Sequence, residues 1–181
     1  MKKIIRYIQN KFFINVLVFI NKNIIGKNNR LNSLKIYNTK FGNFNYVGPG
    51  VIVNGSTIGN FCSIAAYTQI GGMEHDFTNF SSSTFLNKGT SLGDVIIQDD
   101  VWIGAACYIK SGIKIGKGSI IGAGSIVLTD IPPNSIAVGS PARVIKKRFE
   151  KRKYKYYVRS DFSDSLKNLK KLNESFNIRW R

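Results

Sequence analysis

Apolar residues return every six positions through the central part of this chain. In the stretch from residue 97 to residue 128 the repeated positions are Ile97, Ile103, Ile109, Ile115, Ile121 and Val127. A helix has a period of 3.6 residues and a strand a period of two, so neither produces this pattern alone. A short strand followed by a turn, repeated many times, does produce it, and the pattern therefore predicts a solenoid.

A second run with the same period lies upstream, at Tyr46, Ile52, Ile58, Ile64 and Ile70. We interpret three hexads as one triangular coil, in which each hexad forms a short strand and its aliphatic side chain points into the prism. Successive coils would stack through parallel strands about 4.8 Å apart. The predicted fold class is therefore mostly β, with the coils over residues 45–143.

The two runs are out of register, because the 27 positions from Ile70 to Ile97 equal four hexads plus three residues. The pattern breaks over residues 73–94, a polar, Ser/Thr-rich segment that contains the only histidine of the chain, His75. Long excursions from a compact domain are often functional. We expect a protruding loop here, able to reach a neighbouring copy of the chain.

The N-terminal segment, residues 1–29, has the spacing of a basic amphipathic helix, and residues 31–44 read as a lead-in with an imperfect first coil. Its purest apolar run is too short to span a bilayer, which takes about 20 residues, and no small-residue cleavage site follows it. We expect a cytoplasmic protein. Packing of this helix against the first coil or a neighbouring subunit is the favoured role; contact with an anionic membrane surface is the alternative.

The C-terminal segment begins where prolines interrupt the hexads, and we expect Pro132, Pro133 and Pro141 to stop the coils. Apolar residues at helical spacing then predict a helix over residues 161–176. We interpret residues 1–181 as a single domain, with a basic lead-in at 1–44, the solenoid at 45–143 and a basic extension at 144–181.

The net charge of +17 belongs to the two ends. Residues 1–40 hold nine Lys or Arg and no acidic residue, and residues 144–181 hold thirteen basic and four acidic residues. The solenoid holds five basic and six acidic residues. A nearly neutral solenoid offers no basic stripe for nucleic acid, so we expect no nucleic-acid partner.

The two cysteines, Cys62 and Cys107, occupy the same place in their hexads, a place that otherwise holds small residues. We expect both to pack inward as free thiols. Two cysteines and one histidine are also too few for a structural zinc site, which usually takes four such ligands, so we expect no metal.

The hexads resemble those of the hexapeptide-repeat acyltransferases, whose pattern is fitted here by IGNFCS, IAAYTQ, IGAACY, IGKGSI and IGAGSI. The resemblance implies a left-handed parallel β-helix, and the handedness comes from it alone, since crossover connections are otherwise right-handed. The resemblance covers about residues 45–148. The segment from residue 58 to residue 85 is similar to the histidine loop of the xenobiotic and polysaccharide O-acetyltransferase branch, which includes the virginiamycin and type B chloramphenicol acetyltransferases. The segment from residue 100 to residue 149 resembles the C-terminal half shared by the wider sugar O-acetyltransferases. Members use acetyl-CoA and form homotrimers with active sites between subunits. Asp76 departs from that branch, where Pro often follows the loop histidine.

This resemblance places the catalytic base at His75. Acetyl transfer from a thioester to a hydroxyl needs a base for the hydroxyl proton, and neutral imidazole suits this task. Glu74 or Asp76 would orient the imidazole only if it pointed back; a backbone carbonyl or a carboxylate from another coil is an equal alternative. Phe77, Ser83 and Thr84 in the same loop are the candidates for binding the acceptor, against the alternative of a solvated loop.

The resemblance also implies where acetyl-CoA binds. Trp102 lies beside the expected pantetheine path, small residues would let that arm approach the backbone, and basic residues suit the phosphates; the predicted donor-binding residues are Trp102, Ala105, Gly122, Ala123, Ser125, Arg143 and Lys146. Each assignment has a structural alternative. Trp102 would pack between subunits, the small residues would serve only tight coil corners, and the basic residues would belong to a solvated tail.

The sequence therefore predicts an acetyl-CoA-dependent O-acetyltransferase acting on a sugar hydroxyl of a surface polysaccharide or its precursor. An antibiotic O-acetyltransferase is the alternative. A non-enzymatic basic binding module is a third and lower one, because the basic C-terminal extension carries interleaved aromatic residues.

Overall fold

The computed structural model describes residues 22–33, 35–90, 92–158 and 166–179. They form a parallel solenoid with three faces and two C-terminal helices. Its strands are β1 Ile24–Ile25, β2 Arg30–Leu31, β3 Lys35–Phe41, β4 Tyr46–Val47, β5 Ile52–Ile58, β6 Ser63–Ile64, β7 Gln69–Gly71, β8 Val95–Ile97, β9 Trp102–Ile103, β10 Tyr108–Ile109, β11 Lys114–Ile115, β12 Ile120–Ile121, β13 Ile126–Val127, β14 Ser135–Gly139 and β15 Ala142–Lys147. The helices are α1 Lys151–Tyr157 and α2 Leu166–Arg179. This architecture confirms the predicted left-handed parallel β-helix.

Each face of the solenoid carries one row of inward-pointing side chains, paired in register from coil to coil. The first face stacks Ile25, Phe41, Ile58, Ile97, Ile115 and Ile131. The second face stacks Leu31, Val47, Ile64, Ile103, Ile121 and Ala137. The third face stacks Ile36, Val53, Ile70, Ile109 and Val127.

These rows are the hydrophobic core, since nearly all their members are buried. Burial of one such side chain contributes about 1.5–3 kcal/mol relative to leaving it in water. A second inward position in the hexads holds small residues. Cys62, before Ile64 on the second face, and Cys107, before Ile109 on the third face, occupy this position as free, buried thiols, as predicted.

The inward assignment of Tyr46 and Ile52 is wrong, because Tyr46 is exposed and Ile52 only half-buried, whereas Val47 and Val53 point inward. The cause lies in the corner after Val53. Gly55 adopts the left-handed conformation there, with φ of 57°, and the next inward residue, Ile58, follows five positions after Val53 instead of six. Counting back from Ile58 in sixes therefore misplaces Val53, Val47 and Phe41 by one residue each.

The solenoid begins earlier than predicted, and its coils continue past the first prolines that were expected to stop them. It begins at Ile24, so the lead-in at residues 31–44 already belongs to regular coils, while the predicted N-terminal helix falls for the most part on residues 1–21, outside the described residues. At the other end Pro132 and Pro133 do not stop the coils, because β14 still pairs in parallel with β12. The missing N–H of proline costs nothing at a corner, where strand pairing is interrupted. The array ends only when β15 turns back antiparallel to β14.

The C-terminal extension packs against the corner between the first and second faces. The Arg148 guanidinium makes an ion pair with Asp100 at 2.9 Å and donates to the Gly118 carbonyl at 3.0 Å. The Tyr157 hydroxyl donates to the same Asp100 carboxylate at 2.7 Å. A Cβ at Gly118 would lie 2.6 Å from this hydroxyl oxygen, so glycine is required there. Helix α1 was not predicted, and α2 extends the predicted helix to Arg179; residues 161–165 lie outside the described residues.

Candidate active site

The predicted loop leaves the solenoid at the corner between the third and first faces, after β7, and rejoins it at β8. One coil of the solenoid takes 18 residues from Ile109 to its pairing partner Val127. The coil that contains the loop takes 39 residues, from Ile70 to its partner Ile109. The loop is closed at its base by an antiparallel bridge in which the amides of Glu74 and Thr90 donate to each other's carbonyls at 2.7 and 2.8 Å. The loop is therefore an insertion into an otherwise uninterrupted coil.

His75 projects from this base, one residue beyond the bridge, and its side chain is exposed. Its Nδ1 lies 2.7 Å from the carbonyl oxygen of Ser82. A carbonyl oxygen only accepts hydrogen bonds, so Nδ1 carries the proton. In the neutral imidazole the lone pair then belongs to Nε2, which faces away from Ser82 across the ring. This is the tautomer in which Nε2 can accept a proton.

The Ser82 carbonyl is held in place by a tight turn. The amides of Leu86 and Asn87 both donate to the Ser83 carbonyl, at 3.1 and 2.9 Å, and the Asn87 side-chain amide donates to the Ser81 carbonyl. The residue that orients His75 is thus a backbone carbonyl of its own loop, one of the alternatives left open by the sequence.

Asp76 is not that orienter. Its carboxylate accepts from the Thr78 amide and hydroxyl at 2.9 and 2.6 Å and from the Asn79 side-chain amide at 2.7 Å. The Thr78 hydroxyl, its amide and Asn79 together lower the pKa of the Asp76 carboxyl. Asp76 therefore shapes the segment that follows His75.

The predicted acceptor-binding residues lie in the same loop but differ in availability. Phe77 is 86% exposed, and Thr84 is exposed as well. The Ser83 hydroxyl accepts from the Phe85 amide at 3.3 Å, so it is already used in the turn. Phe77 and Thr84 are consequently the more accessible of the three.

Two of the predicted donor-binding residues lie on one outward row of the second face. Trp102 is 53% exposed and pairs with Ile120, which pairs with Ile136, and Ile136 pairs with Lys146 on β15. Trp102 and Lys146 therefore lie on one surface, with β12 and β14 between their strands. Arg143 also lies on β15 and is exposed. Its Nη1 donates to the carbonyl of the preceding residue, Ala142.

The small predicted residues form the corner that follows this face. The Gly124 amide donates to the Ala105 carbonyl at 2.8 Å, so the corners stack directly on each other. Ala123 is exposed and half-buried Gly122 lies against Val138, which pairs with Arg143. This corner exposes backbone rather than side chains, as a narrow ligand would require.

Ser125 differs from its neighbours. Its hydroxyl is buried, donates to the Gly122 carbonyl at 2.6 Å and accepts from the Gly139 amide at 3.1 Å. The side chain therefore fastens two coils together and does not reach the surface. Any contact of Ser125 with a donor would have to use its backbone.

The structure thus brings the seven predicted donor-binding residues to the second face and the corner after it, but not to His75. The third face of the prism separates that corner from the corner where the loop leaves. Sequence reasoning missed Tyr108, whose hydroxyl contacts Glu74, and Val138, which links Gly122 to Arg143. An outward tyrosine in the coil after the insertion was a visible signal for the first; the second depended on the unexpected pairing of β14 with β15.

In the described ranges no three His, Cys, Asp or Glu side chains lie close enough together to hold a metal ion. No helix in the part of the chain that the structure describes combines the length and apolarity needed to cross a membrane.

Parts of this chain are similar in sequence to known proteins. Residues 94–129 match the family described as bacterial transferase hexapeptide (six repeats). The chain is 39% identical over 107 residues to a chloramphenicol acetyltransferase of Escherichia coli, an alignment that covers 51% of each. The chain spans about half the length of the curated relatives it matches.

Two solved structures share the fold. A galactoside acetyltransferase in complex with coenzyme A is 28% identical, with a TM-score of 0.67, over 84% of this chain and 76% of that one. A polySia-specific acetyltransferase is 27% identical, with a TM-score of 0.56, over 76% of this chain and 73% of that one. Residues 94–129 therefore match the hexapeptide repeat, the chain has the β-helix fold, and the relative and the two structural neighbours named here are acetyltransferases.

Proposed function

We propose that the protein is an acetyl-CoA-dependent O-acetyltransferase that transfers an acetyl group to a sugar hydroxyl of a surface polysaccharide or its precursor. The observation that carries the proposal is the hydrogen bond from His75 Nδ1 to the Ser82 carbonyl, which leaves Nε2 as the acceptor of a proton. The relatives supply the donor class, since the galactoside acetyltransferase was solved with coenzyme A.

In the proposed reaction His75 Nε2 takes the proton of the acceptor hydroxyl while its oxygen attacks the thioester carbonyl. The new C–O bond forms, the C–S bond breaks, and the imidazolium returns its proton to the departing sulfur. No covalent acyl-enzyme is required, because the thiolate of coenzyme A is already a good leaving group. A positioned general base of this kind typically contributes about 10²–10⁴-fold to the rate.

The donor would lie along the second face and the corner that follows it. The exposed backbone of Gly122, Ala123 and Gly124 suits a narrow pantetheine arm, and Trp102 stands on the adjoining surface. Arg143 and Lys146 on β15 supply positive charge for phosphate groups.

A homotrimer would complete the site. In one chain the His75 loop and the donor edge lie on different corners of the prism, so a neighbouring subunit would have to bring one to the other. The loop also exposes three aromatic side chains, Phe77, Phe80 and Phe85, which an interface would cover. Size-exclusion chromatography with light scattering should give three times the 20.3 kDa of one chain, and a fully active monomer would contradict this arrangement.

The proposed location is the cytoplasm, peripheral to the inner face of the membrane. Helix α2 supports contact with the membrane surface, because its apolar and basic side chains differ in exposure. Leu169, Leu172 and Phe176 are partly buried, whereas Lys167, Lys170 and Lys171 are exposed. Clustered lysines attract anionic lipid surfaces. Cell fractionation at low and high salt tests this: salt-sensitive membrane association is expected, and a purely soluble fraction at low salt would refute it.

The acceptor is tested by following free thiol release from acetyl-CoA over a panel of nucleotide sugars, oligosaccharides and antibiotics. We expect release that depends on a sugar acceptor. Release with chloramphenicol or another antibiotic alone would favour the second candidate, a xenobiotic acetyltransferase, which the 39% identity to the chloramphenicol enzyme supports. No acceptor-dependent release with any compound would refute both.

A further inference from the structure

A side-chain hydrogen bond fastens the base of the His75 loop to the solenoid, and it involves Tyr108, a residue outside the predicted site. The Tyr108 hydroxyl donates to Glu74 Oε1 at 3.0 Å. Tyr108 points outward from β10 on the third face, while Glu74 is the loop residue immediately before His75. Through its backbone Glu74 also makes both hydrogen bonds of the bridge to Thr90. Three hydrogen bonds therefore hold Glu74, the residue directly before His75.

The position of Tyr108 follows from the register of the coils. β10 lies beside β7, the strand from which the loop departs, and Tyr108 pairs with Gln69. The inserted loop thus folds back over the outward surface of the next coil and meets the tyrosine there. Burial, and then the hydrogen bond to Glu74, raise the pKa of Tyr108, so the hydroxyl remains a donor over the physiological range.

The hydrogen bonds that follow His75 along the chain lie within the loop. Asp76 bonds to Thr78 and Asn79, and the turn over residues 81–87 bonds within itself. These bonds shape the loop internally but do not tie it to a coil. The bridge to Thr90 joins the two sides of the loop base to each other. On the Thr90 side the Gly112 amide of a coil donates to the Gly93 carbonyl at 2.9 Å, and on the His75 side the Tyr108 hydroxyl joins Glu74 to a coil.

We propose that Tyr108 is a positioning residue for acetyl transfer: its hydroxyl, through the Glu74 carboxylate, fixes the backbone from which His75 projects, so that His75 Nε2 meets the acceptor hydroxyl. This rests on the proposed function in one respect, that His75 is the base. Tyr108 touches neither substrate nor the reacting atoms. Its removal should therefore change the geometry of His75 without changing how acetyl-CoA binds.

The first test is steady-state kinetics of Tyr108→Phe, which keeps the ring and removes the hydroxyl. We expect kcat to fall about tenfold, as for the loss of a residue that orients a catalytic group, with KM for acetyl-CoA within about twofold of wild type. Tyr37→Phe is the matched control, because Tyr37 is an exposed tyrosine on the same face of the solenoid as Tyr108, on β3, two strands from β7. It should behave like wild type.

Glu74 provides the rescue and the coupling test. Glu74→Gln keeps a side-chain oxygen that can accept from Tyr108, so it should retain most of the activity, whereas Glu74→Ala should match Tyr108→Phe. The double variant Tyr108→Phe/Glu74→Ala should be no worse than either single variant, because both remove the same hydrogen bond. Additive losses, or a rise in KM for acetyl-CoA with unchanged kcat, would overturn the proposal.

The second test does not need activity. His75 is the only histidine, so ring-¹⁵N-labelled protein gives a single pair of imidazole signals. In wild type they should report the Nδ1-protonated tautomer, and in Tyr108→Phe they should move toward the average of a mobile, mixed-tautomer ring. An unchanged spectrum together with wild-type kcat would refute the proposal. A wild-type protein with no acetyl transfer to any acceptor would instead refute the proposed function, while the spectra would still decide whether Tyr108 positions His75.

Discussion

Two segments leave the solenoid, and each is fastened to it by a tyrosine hydroxyl that donates to a carboxylate. In the loop the carboxylate belongs to the departing segment and the tyrosine to a coil, with Glu74 and Tyr108 3.0 Å apart. In the C-terminal extension the roles are reversed, because Tyr157 on α1 donates to Asp100 on a coil corner at 2.7 Å. The same chemical pair thus appears twice in different surroundings.

The surroundings decide what each pair can do. Tyr157 is only 6% exposed, packs against the Phe149 ring at 5.0 Å and shares Asp100 with Arg148. Around the Glu74 pair the loop leaves its large apolar side chains, such as Phe80 and Phe85, in solvent. A hydrogen bond surrounded by buried apolar surface contributes to global stability, whereas one at the base of an exposed loop mainly fixes local geometry. Stability and activity should therefore separate between the two segments.

The largest expected effect is loss of activity in the loop. His75→Ala removes the proposed proton acceptor, so we predict that acetyl transfer falls by about 10²–10⁴-fold. Stability should change by no more than about 0.5 kcal/mol, because the side chain is exposed. Thiol release and urea denaturation of the same preparation measure the two quantities.

Ser82→Ala is the matched control for His75→Ala. The carbonyl that accepts from His75 is part of the backbone, so the substitution preserves it and activity should stay near wild type. Near-normal turnover in His75→Ala would remove the loop from the chemistry altogether. A strong loss in Ser82→Ala would show that the serine hydroxyl, and not the carbonyl, is what matters there.

The next effect is in the C-terminal extension. Asp100→Ala takes away the acceptor of Tyr157 and leaves the half-buried Arg148 without its ion-pair partner. We predict a loss of about 2–3 kcal/mol in the free energy of unfolding. Because the pair lies away from His75, kcat should be unchanged once the protein is folded.

Glu74→Ala is the counterpart of Asp100→Ala in the loop. It should cost less than about 1 kcal/mol of stability, since its partner is reachable by water. Urea midpoints of both variants, measured together, decide the comparison. Equal losses would show that the two tyrosine–carboxylate pairs are energetically alike, and a stable Asp100→Ala would show that α1 is held by apolar packing alone.

The repeat was legible in the sequence because each buried aliphatic residue must recur at the same place in every coil. The hexads from Ile97 to Val127 were predicted residue by residue for this reason. The upstream error at Tyr46 and Ile52 came from one short corner at Gly55, since a single left-handed glycine does not reveal how many residues its corner contains. Local periodicity fixes an inward face, but it does not fix corner length.

The sequence predicted only part of the candidate site. The insertion and its lone histidine identified His75, yet the residue that orients it, Ser82, acts through a backbone carbonyl that any amino acid could provide. Tyr108 and Glu74 meet across 34 positions, and Asp100 and Tyr157 across 57. Such contacts depend on how coils stack and segments fold back, which composition and spacing do not encode.

The stability lost at alkaline pH is expected to be smaller than the loss in Asp100→Ala, and it distinguishes the two tyrosines directly. Burial, followed by the charge of Asp100, raises the pKa of Tyr157 far above its ordinary value near 10. A group whose pKa is raised on folding stabilises the protein fully below its unfolded pKa and loses that contribution as the pH rises. The loss attributable to Tyr157 should therefore begin near pH 10 and reach about 1.4 kcal/mol at pH 11.

The two buried cysteines must first be removed from this measurement. Burial raises the pKa of Cys62 to about 12 and also raises that of Cys107, so both destabilise the protein as the pH rises past their unfolded value near 8.5. Serine suits both positions, because Ser119 and Ser125 occupy equivalent inward places in other coils. In the Cys62→Ser/Cys107→Ser background, adding Tyr157→Phe should flatten the fall between pH 10 and pH 11, whereas adding Tyr108→Phe should leave most of it. If both substitutions flattened the curve equally, the loop tyrosine would be as firmly engaged in the folded state as the one beneath α1, and the separation of stability from activity would fail.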